Sequence, residues 1–216
     1  MDSKKENKPE NPWLNLGFNI VLPSFLLIKG RKLFESVGIM GENVDAQVFV
    51  FALAFPIAYG IWDLARRRKF NIFSVIGVLS VILTGGIGLM KMSREWIIVK
   101  EGLVPLVIGA AVLLTVFTRR PLAKMIMLNE SVVDLPKIEA ALDERGTREK
   151  FDEALKKATW WVAASFLLSS VLNFALAAYI FKSPTGTEAF NEEVGKMTAL
   201  SFPVIALPTM AVLFYA

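Results

Sequence analysis

Uncharged apolar segments recur along the chain, and charged residues gather between them. Each segment is close to the roughly 17–25 residues that an α-helix needs to cross a hydrocarbon layer about 30 Å thick. A soluble domain of 216 residues could bury one or two such segments, but hardly six. The pattern predicts an all-α integral membrane protein with six transmembrane helices. The segments are Asn11–Ile28, Ala46–Trp62, Phe70–Met90, Gly102–Thr118, Ala158–Phe181 and Met197–Ala216.

The longest stretch between two segments, residues 119–157, predicts an amphipathic cytoplasmic insert before the fifth transmembrane helix. Within it, Pro136 begins a short helical pattern that Gly146 ends, and a second amphipathic helix follows. The second helix should continue into the fifth segment at Trp160–Trp161, because indole rings favour the membrane interface. The insert is either a connector or a docking or lipid-sensing element. The predicted parts are a disordered cytoplasmic tail at 1–12, helices one to four at 13–118, the insert at 119–157, and helices five and six at 158–216.

The distribution of Lys and Arg predicts the orientation of the chain. Placing the N-terminus in the cytoplasm puts about twice as many basic residues inside as outside, which is the bias of membrane proteins. We interpret the stretch YGIWDLARRRKFNIF as a topology signal that also contacts anionic lipids. Each basic residue near the membrane surface contributes about 1 kcal/mol to the attraction to such lipids. A nucleic-acid patch and a catalytic acid are weaker interpretations of the same stretch. The residues assigned to topology and lipid contact are Asp63, Arg66, Arg67, Arg68, Lys69, Arg119 and Arg120.

The composition limits which metal sites, catalytic nucleophiles and disulfides the chain can contain. The chain is 54% hydrophobic and contains neither His nor Cys. It therefore has no imidazole or thiolate metal site, no Ser-His or Cys-His nucleophile and no disulfide. A metal site built from carboxylates alone stays open, but the sequence predicts no cofactor and no catalytic residue. A non-enzymatic protein is expected.

Prolines inside the apolar segments are the most specific candidates for function. A mid-helix proline leaves the carbonyl four residues earlier without its donor, and in lipid that carbonyl needs another partner or a wet cavity. Pro23 frees the carbonyl of Asn19 in this way, so the first segment is the best candidate for a polar lining. Pro105 is expected in the opening turn of its helix, where little is lost. For the prolines other than Pro105, a kink that serves only helix packing is the simpler interpretation. The residues of this candidate polar path are Asn15, Asn19, Pro23, Pro56, Asn173 and Pro203.

Asn173 has three serines nearby, Ser165, Ser169 and Ser170. An Asn between membrane helices usually bonds a neighbouring helix, and such a bond contributes about 0.6 kcal/mol on average. A contact between helices is therefore favoured over a ligand site. A weak repeat also pairs ALAFPI at 52–57 with ALSFPV at 199–204, which would fit three related hairpins and a transporter-like architecture.

Several stretches resemble a little-characterised bacterial inner-membrane family similar to intracellular septation protein A. They are FNIVLPSFLL, FPIAYGIWDLARRRKFNIFSVIGVL, LVIGAAVLLTVFTRRPL and FDEALKKATWWVAASFLLSSVLNF. The resemblance implies six helices, the bacterial inner membrane and a loose link to cell-envelope processes, and it carries no catalytic residues. A weaker likeness joins Gly60, Asp63 and Arg66–Arg68 to the loop after the second helix of major facilitator transporters, but the glycine expected within that loop is missing.

Two hypotheses follow for the function. The first is a non-enzymatic envelope protein that scaffolds or modulates membrane partners, with both termini in the cytoplasm. The alternative is a small transporter or lipid carrier, dimeric because six helices make half of a facilitator, with a polar path near Asn19 and Asn173. The expected partners are anionic membrane lipids and a second copy or another membrane protein, and no nucleic acid.

Overall fold

The computed structural model describes residues 16–67, 72–117 and 135–215, with the backbone alone at 63–67 and 72–77. These residues are mainly helical, and no strand occurs among them. The all-α prediction is confirmed for this part of the chain. In chain order the helices are a π-helical turn Gly17–Val21, α1 Leu22–Ser36, α2 Val44–Arg67, α3 Ile72–Leu89, α4 Arg94–Val116, α5 Leu135–Glu144, α6 Arg148–Ile180, α7 Glu188–Ser201, a second π-helical turn Phe202–Ala206 and α8 Leu207–Tyr215.

Four helical stretches within the described ranges are long and apolar enough to cross a membrane. They support an integral membrane protein, whereas six spans stay a prediction. The helix of the first predicted segment continues through Lys29, Arg31 and Lys32, and α3 contributes a shorter apolar stretch, Val78–Leu89. The four are Val44–Trp62, Arg94–Val116, Arg148–Ile180 and Glu188–Tyr215.

The helix of the fourth segment begins earlier than its uncharged run. Because α4 begins at Arg94, Pro105 lies inside the helix, and its expected place in the opening turn was wrong. The same early beginning brings Lys100 into the helix, together with Arg94, Glu95 and Glu101, ahead of its uncharged part. Because the predicted segment was begun after the last charged residue, it missed slightly more than two turns of helix.

The helices around the predicted insert follow their sequence signals. Helix α5 ends at Glu144, and Gly146 has the positive φ of 61° that glycine adopts at little cost. Helix α6 then runs without interruption for 33 residues, so the amphipathic stretch does continue into the fifth apolar segment. The cytoplasmic location of the insert stays a prediction.

The chain divides into two compact units. The first consists of Met1–Lys100 and Leu176–Phe202. In it α1 packs against both α2 and α7. Small residues permit the close approach, since a Cβ on Gly30 would lie 2.6 Å from Val48 Cγ1, and a Cβ on Gly195 would lie 3.0 Å from the Ser24 carbonyl oxygen.

The second unit consists of Glu101–Ala175 and Pro203–Ala216. Its contact between α4 and α6 also depends on glycines. A Cβ on Gly102 would lie 3.0 Å from Phe174 Cβ, and a Cβ on Gly109 would lie 2.9 Å from Phe166 Cβ. Glycine at both positions lets the two backbones approach, as is common between membrane helices.

Candidate functional site

The prolines predicted to line a polar path have different surroundings. Pro23 lies two residues after the π-helical turn Gly17–Val21, where Leu22 N–H bonds the Gly17 carbonyl. Pro203 lies inside the second π-helical turn. Pro56 lies within the continuous helix α2. One of the three prolines therefore lies in a π-helical turn and another lies just after one, and such distortions are frequent at functional sites.

A threonine hydroxyl contacts the end of the second π-helical turn. Thr209 Oγ1 donates to the carbonyls of Ile205 and Ala206 at 2.9 and 3.0 Å. Pro208 has no N–H to donate to the Val204 carbonyl four residues earlier, and the threonine hydroxyl bonds the two carbonyls that follow Val204.

A buried polar cluster between α3 and α4 centres on Lys100. Its Nζ donates to Thr84 Oγ1 at 2.8 Å and to Ser80 Oγ at 3.2 Å. Thr84 in turn donates to the Ser80 carbonyl at 3.0 Å, so the three residues form one network. Lys100 is 8% exposed and Thr84 is 7% exposed. A buried cation in an apolar helix is costly and marks a candidate functional site.

Asn173 bonds within its own helix. Its Nδ2 donates to the Ser169 carbonyl at 2.8 Å and to Ser169 Oγ at 3.1 Å. The contact between helices is made instead by Ser170, whose Oγ donates to the Gly102 carbonyl at 2.7 Å. The serine cluster therefore contains the expected interhelical bond, but on a different side chain.

A second polar cluster lies at the beginning of α2, in the first unit. Arg31 Nη1 donates to both Asp45 carboxylate oxygens at 3.0 and 2.9 Å, and its Nε donates to Glu35 at 2.9 Å. Hydrogen bonding to Glu35, with further attraction from Asp45 and Glu188, raises the pKa of Arg31 above its usual value. Asn191, 2% exposed, adds a 2.8 Å bond from Nδ2 to the Asp45 carbonyl. This cluster joins α1, α2 and α7 and is structural in character.

An aromatic groove lies on an outward face of the first unit. It has a volume of about 420 Å³ and is lined by Phe18, Phe55, Ala58, Tyr59 and Trp62. Phe18 stacks on Tyr59 with ring centroids 5.9 Å apart and planes 15° apart. Tyr59 contacts Trp62 at 5.8 Å. The groove can accept an apolar ligand of small cross-section.

Several residues of the sequence prediction lie where the structure gives no side chain. Asn15, Arg68, Lys69, Arg119 and Arg120 fall outside the described residues, as does the tail at 1–12. Asp63, Arg66 and Arg67 belong to the backbone of α2, whose side chains are not described there. Their roles in topology and lipid contact therefore stay predictions.

Sequence reasoning missed both Lys100 and the aromatic groove. Lys100 was counted as a residue of the loop before the fourth segment, although the helical pattern through REWIIVK was a signal for an earlier beginning. The spacing of Phe51, Phe55, Tyr59 and Trp62 places them on one face of a helix, which was a signal for the groove.

Comparisons with protein-family models, curated proteins and solved structures found no match, so functional inference rests on the chemistry of this chain.

Proposed function

We propose that this chain is a non-enzymatic protein of the bacterial inner membrane that scaffolds or modulates membrane partners, with both termini in the cytoplasm. The resemblance to the family similar to intracellular septation protein A favours this setting. The two-to-one distribution of basic residues favours this orientation.

The observation that carries the proposal is the uncovered surface of the candidate spans. Less than a third of each span is buried within the chain. In α8 no residue is buried, and Phe214 is 85% exposed. Aromatic residues and Met are enriched where proteins meet one another, and α8 offers Phe214, Tyr215 and Met210. Such a helix is suited to contact a partner inside the membrane.

Photo-crosslinking in cells tests the proposal. A photoreactive residue at Met210 and another at Phe214 should each capture the same membrane protein, identified by mass spectrometry. The matched control places the photoreactive residue at Val112, which is buried at 2% exposure in the second unit. Recovery of lipid adducts alone at both α8 positions would contradict a scaffolding role.

The second candidate function is a small transporter or lipid carrier, and the Lys100 cluster favours it. An ammonium group held by Thr84 and Ser80 in an apolar helix is typical of substrate or ion pathways. Cysteines introduced singly at Asn15, Asn19 and Asn173 should then react with water-soluble thiol reagents, easily measured because the natural chain has no Cys. A cysteine at Val171 on an exposed apolar surface is the control. Protection of all three test positions would exclude a wet path.

A further inference from the structure

The Lys100 cluster is rich in hydrogen-bond donors. Lys100 Nζ donates to the hydroxyl oxygens of Thr84 and Ser80, and Thr84 donates its own hydrogen to the Ser80 carbonyl. Ser80 Oγ accepts from the ammonium group, but no bond of Ser80 within the described residues uses its hydroxyl hydrogen. The hydrogen of Ser80 Oγ is therefore available to the acceptor atom of a bound ligand.

The two hydroxyls orient the ammonium group without neutralising it. A hydroxyl oxygen accepts a hydrogen bond but has no formal charge. Lys100 is buried, and in a surrounding of low dielectric constant its charge attracts an opposite charge more strongly than in water. The cluster therefore favours an anion over a neutral ligand.

The positions of the two donors suit a carboxylate. Lys100 Nζ and Ser80 Oγ lie 3.2 Å apart, so they are neighbouring donors. A carboxylate has two acceptor oxygens on one carbon, and one can accept from Nζ while the other accepts from Oγ. It also has one negative charge, which matches the single charge of Lys100, whereas a phosphate dianion has two.

The cluster is most accessible at Ser80. Lys100 and Thr84 are both buried, whereas Ser80 is half-buried. Ser80 lies about one turn of α3 before Thr84, on the same face of the helix. The hydroxyl with an available hydrogen is therefore also the one that a ligand can reach.

We propose that Lys100 and Ser80 bind the carboxylate group of an organic anion, while Thr84 holds the ammonium group in place. The proposal rests on the transporter or carrier function and names the class of its substrate. Both a water-soluble carboxylate and a fatty acid of the bilayer have this chemistry. Inorganic phosphate and neutral amides are not expected to bind.

Equilibrium dialysis of radiolabelled benzoate against the purified full chain in neutral micelles tests the site, with empty micelles as the background. At neutral pH the chain should bind benzoate saturably, and benzamide, its neutral amide, should not compete. Lys100→Met should abolish the saturable binding. Ser80→Ala should weaken it about tenfold, because a hydrogen bond to a charged group is lost. Ser80→Thr keeps the hydroxyl and should bind like the unmodified chain.

A matched control removes a hydroxyl elsewhere in the first unit. Ser201 Oγ bonds the Thr198 carbonyl of its own helix at 2.7 Å, so Ser201→Ala should leave benzoate binding unchanged.

Native mass spectrometry of the chain purified without added ligand distinguishes the two sources of the carboxylate. A retained fatty acid that Lys100→Met loses would assign the site to a ligand from the bilayer. Saturable benzoate binding without a retained fatty acid would assign it to a water-soluble carboxylate. Either result supports the carboxylate site.

Three results would overturn the proposal. One is the absence of both saturable benzoate binding and a retained fatty acid. Another is benzoate binding that Lys100→Met or Ser80→Ala leaves intact. The third is competition by inorganic phosphate or benzamide as strong as that by unlabelled benzoate.

Failure of this site and failure of the transporter function give different results. Cysteines at Asn19 and Asn173 that react with thiol reagents, in a chain that binds no carboxylate, would keep the wet path and reject the substrate class. Carboxylate binding in a chain whose cysteines at these positions are protected would keep the site and reject the path.

Discussion

Lys100 Nζ donates a 2.8 Å hydrogen bond to Thr84 Oγ1, which belongs to the preceding helix α3. Lys100 lies less than two turns after α4 begins, whereas Ser80, its second acceptor, lies more than two turns before α3 ends at Leu89. Long basic side chains near helix ends normally extend toward the interface. Here two hydroxyls of α3 bond the ammonium group, so the three residues act as one unit.

A double-mutant cycle tests this unit. Thr84→Val removes an acceptor from a buried cation and should cost about 1–3 kcal/mol in the free energy of unfolding. With Lys100→Met in place, Thr84→Val should cost clearly less, because the cation that needs the acceptor is gone. Thr84→Ser keeps the hydroxyl and is the control. Equilibrium unfolding in mixed micelles gives the four values, and additive effects would show that the two side chains are not coupled.

Ser170 and Ser165 provide a matched pair in the second unit. Ser170→Ala removes the bond from α6 to the Gly102 carbonyl and should destabilise the protein by about 0.6 kcal/mol. Ser165 Oγ bonds the Val162 carbonyl of its own helix at 2.7 Å, so Ser165→Ala should have a smaller effect. Measuring the free energy of unfolding of both variants tests whether the bond of Ser170 contributes more than that of Ser165. An equal loss at both serines would deny Ser170 its interhelical role.

Glycine at the contact of α4 and α6 should be indispensable. Gly109→Ala places a Cβ 2.9 Å from Phe166 Cβ and should cost about 1–3 kcal/mol through overpacking. Gly86→Ala is the control, since nothing lies within 4 Å of a Cβ there, and it should be neutral or stabilising by up to about 1 kcal/mol. Thermal unfolding of the purified variants measures both. Equal stability of the two variants would refute the close approach.

The helices could be predicted from the sequence, but few of the side-chain bonds between them could. Gly146 and the amphipathic pattern after it placed α5 and α6 correctly, because glycine and helical periodicity act locally. The boundary of α4 was missed because tertiary contacts to Ser80 and Thr84 allow Lys100 inside an apolar helix. Asn173 bonds its own helix and Ser170 bonds the next one, and this choice depends on how α6 is rotated. Rotation of a helix is fixed by packing, which no local pattern specifies.

Asn191 should be essential to the cluster at the beginning of α2. Asn191→Ala removes the donor to the Asp45 carbonyl and should cost about 1–3 kcal/mol. Asn191→Asp should be worse, because a buried carboxylate would face a carbonyl oxygen and could not donate to it. Asn173→Ala, whose amide bonds its own helix, is the control and should cost less. Unfolding in mixed micelles ranks the three variants, and a different order would contradict the structural role of Asn191.

Orientation in the membrane can be tested by labelling introduced cysteines. Met40 and Met90 are each 75% exposed, and both lie in turns on the side predicted to face the outside. Single cysteines there should react in intact cells with a thiol reagent that cannot cross the membrane. Lys150→Cys, at an exposed position of the predicted cytoplasmic insert, should react only after the membrane is permeabilised. The reverse pattern would place the basic stretch 66–69 outside, against the distribution of Lys and Arg, and would remove the basis for assigning both termini to the cytoplasm.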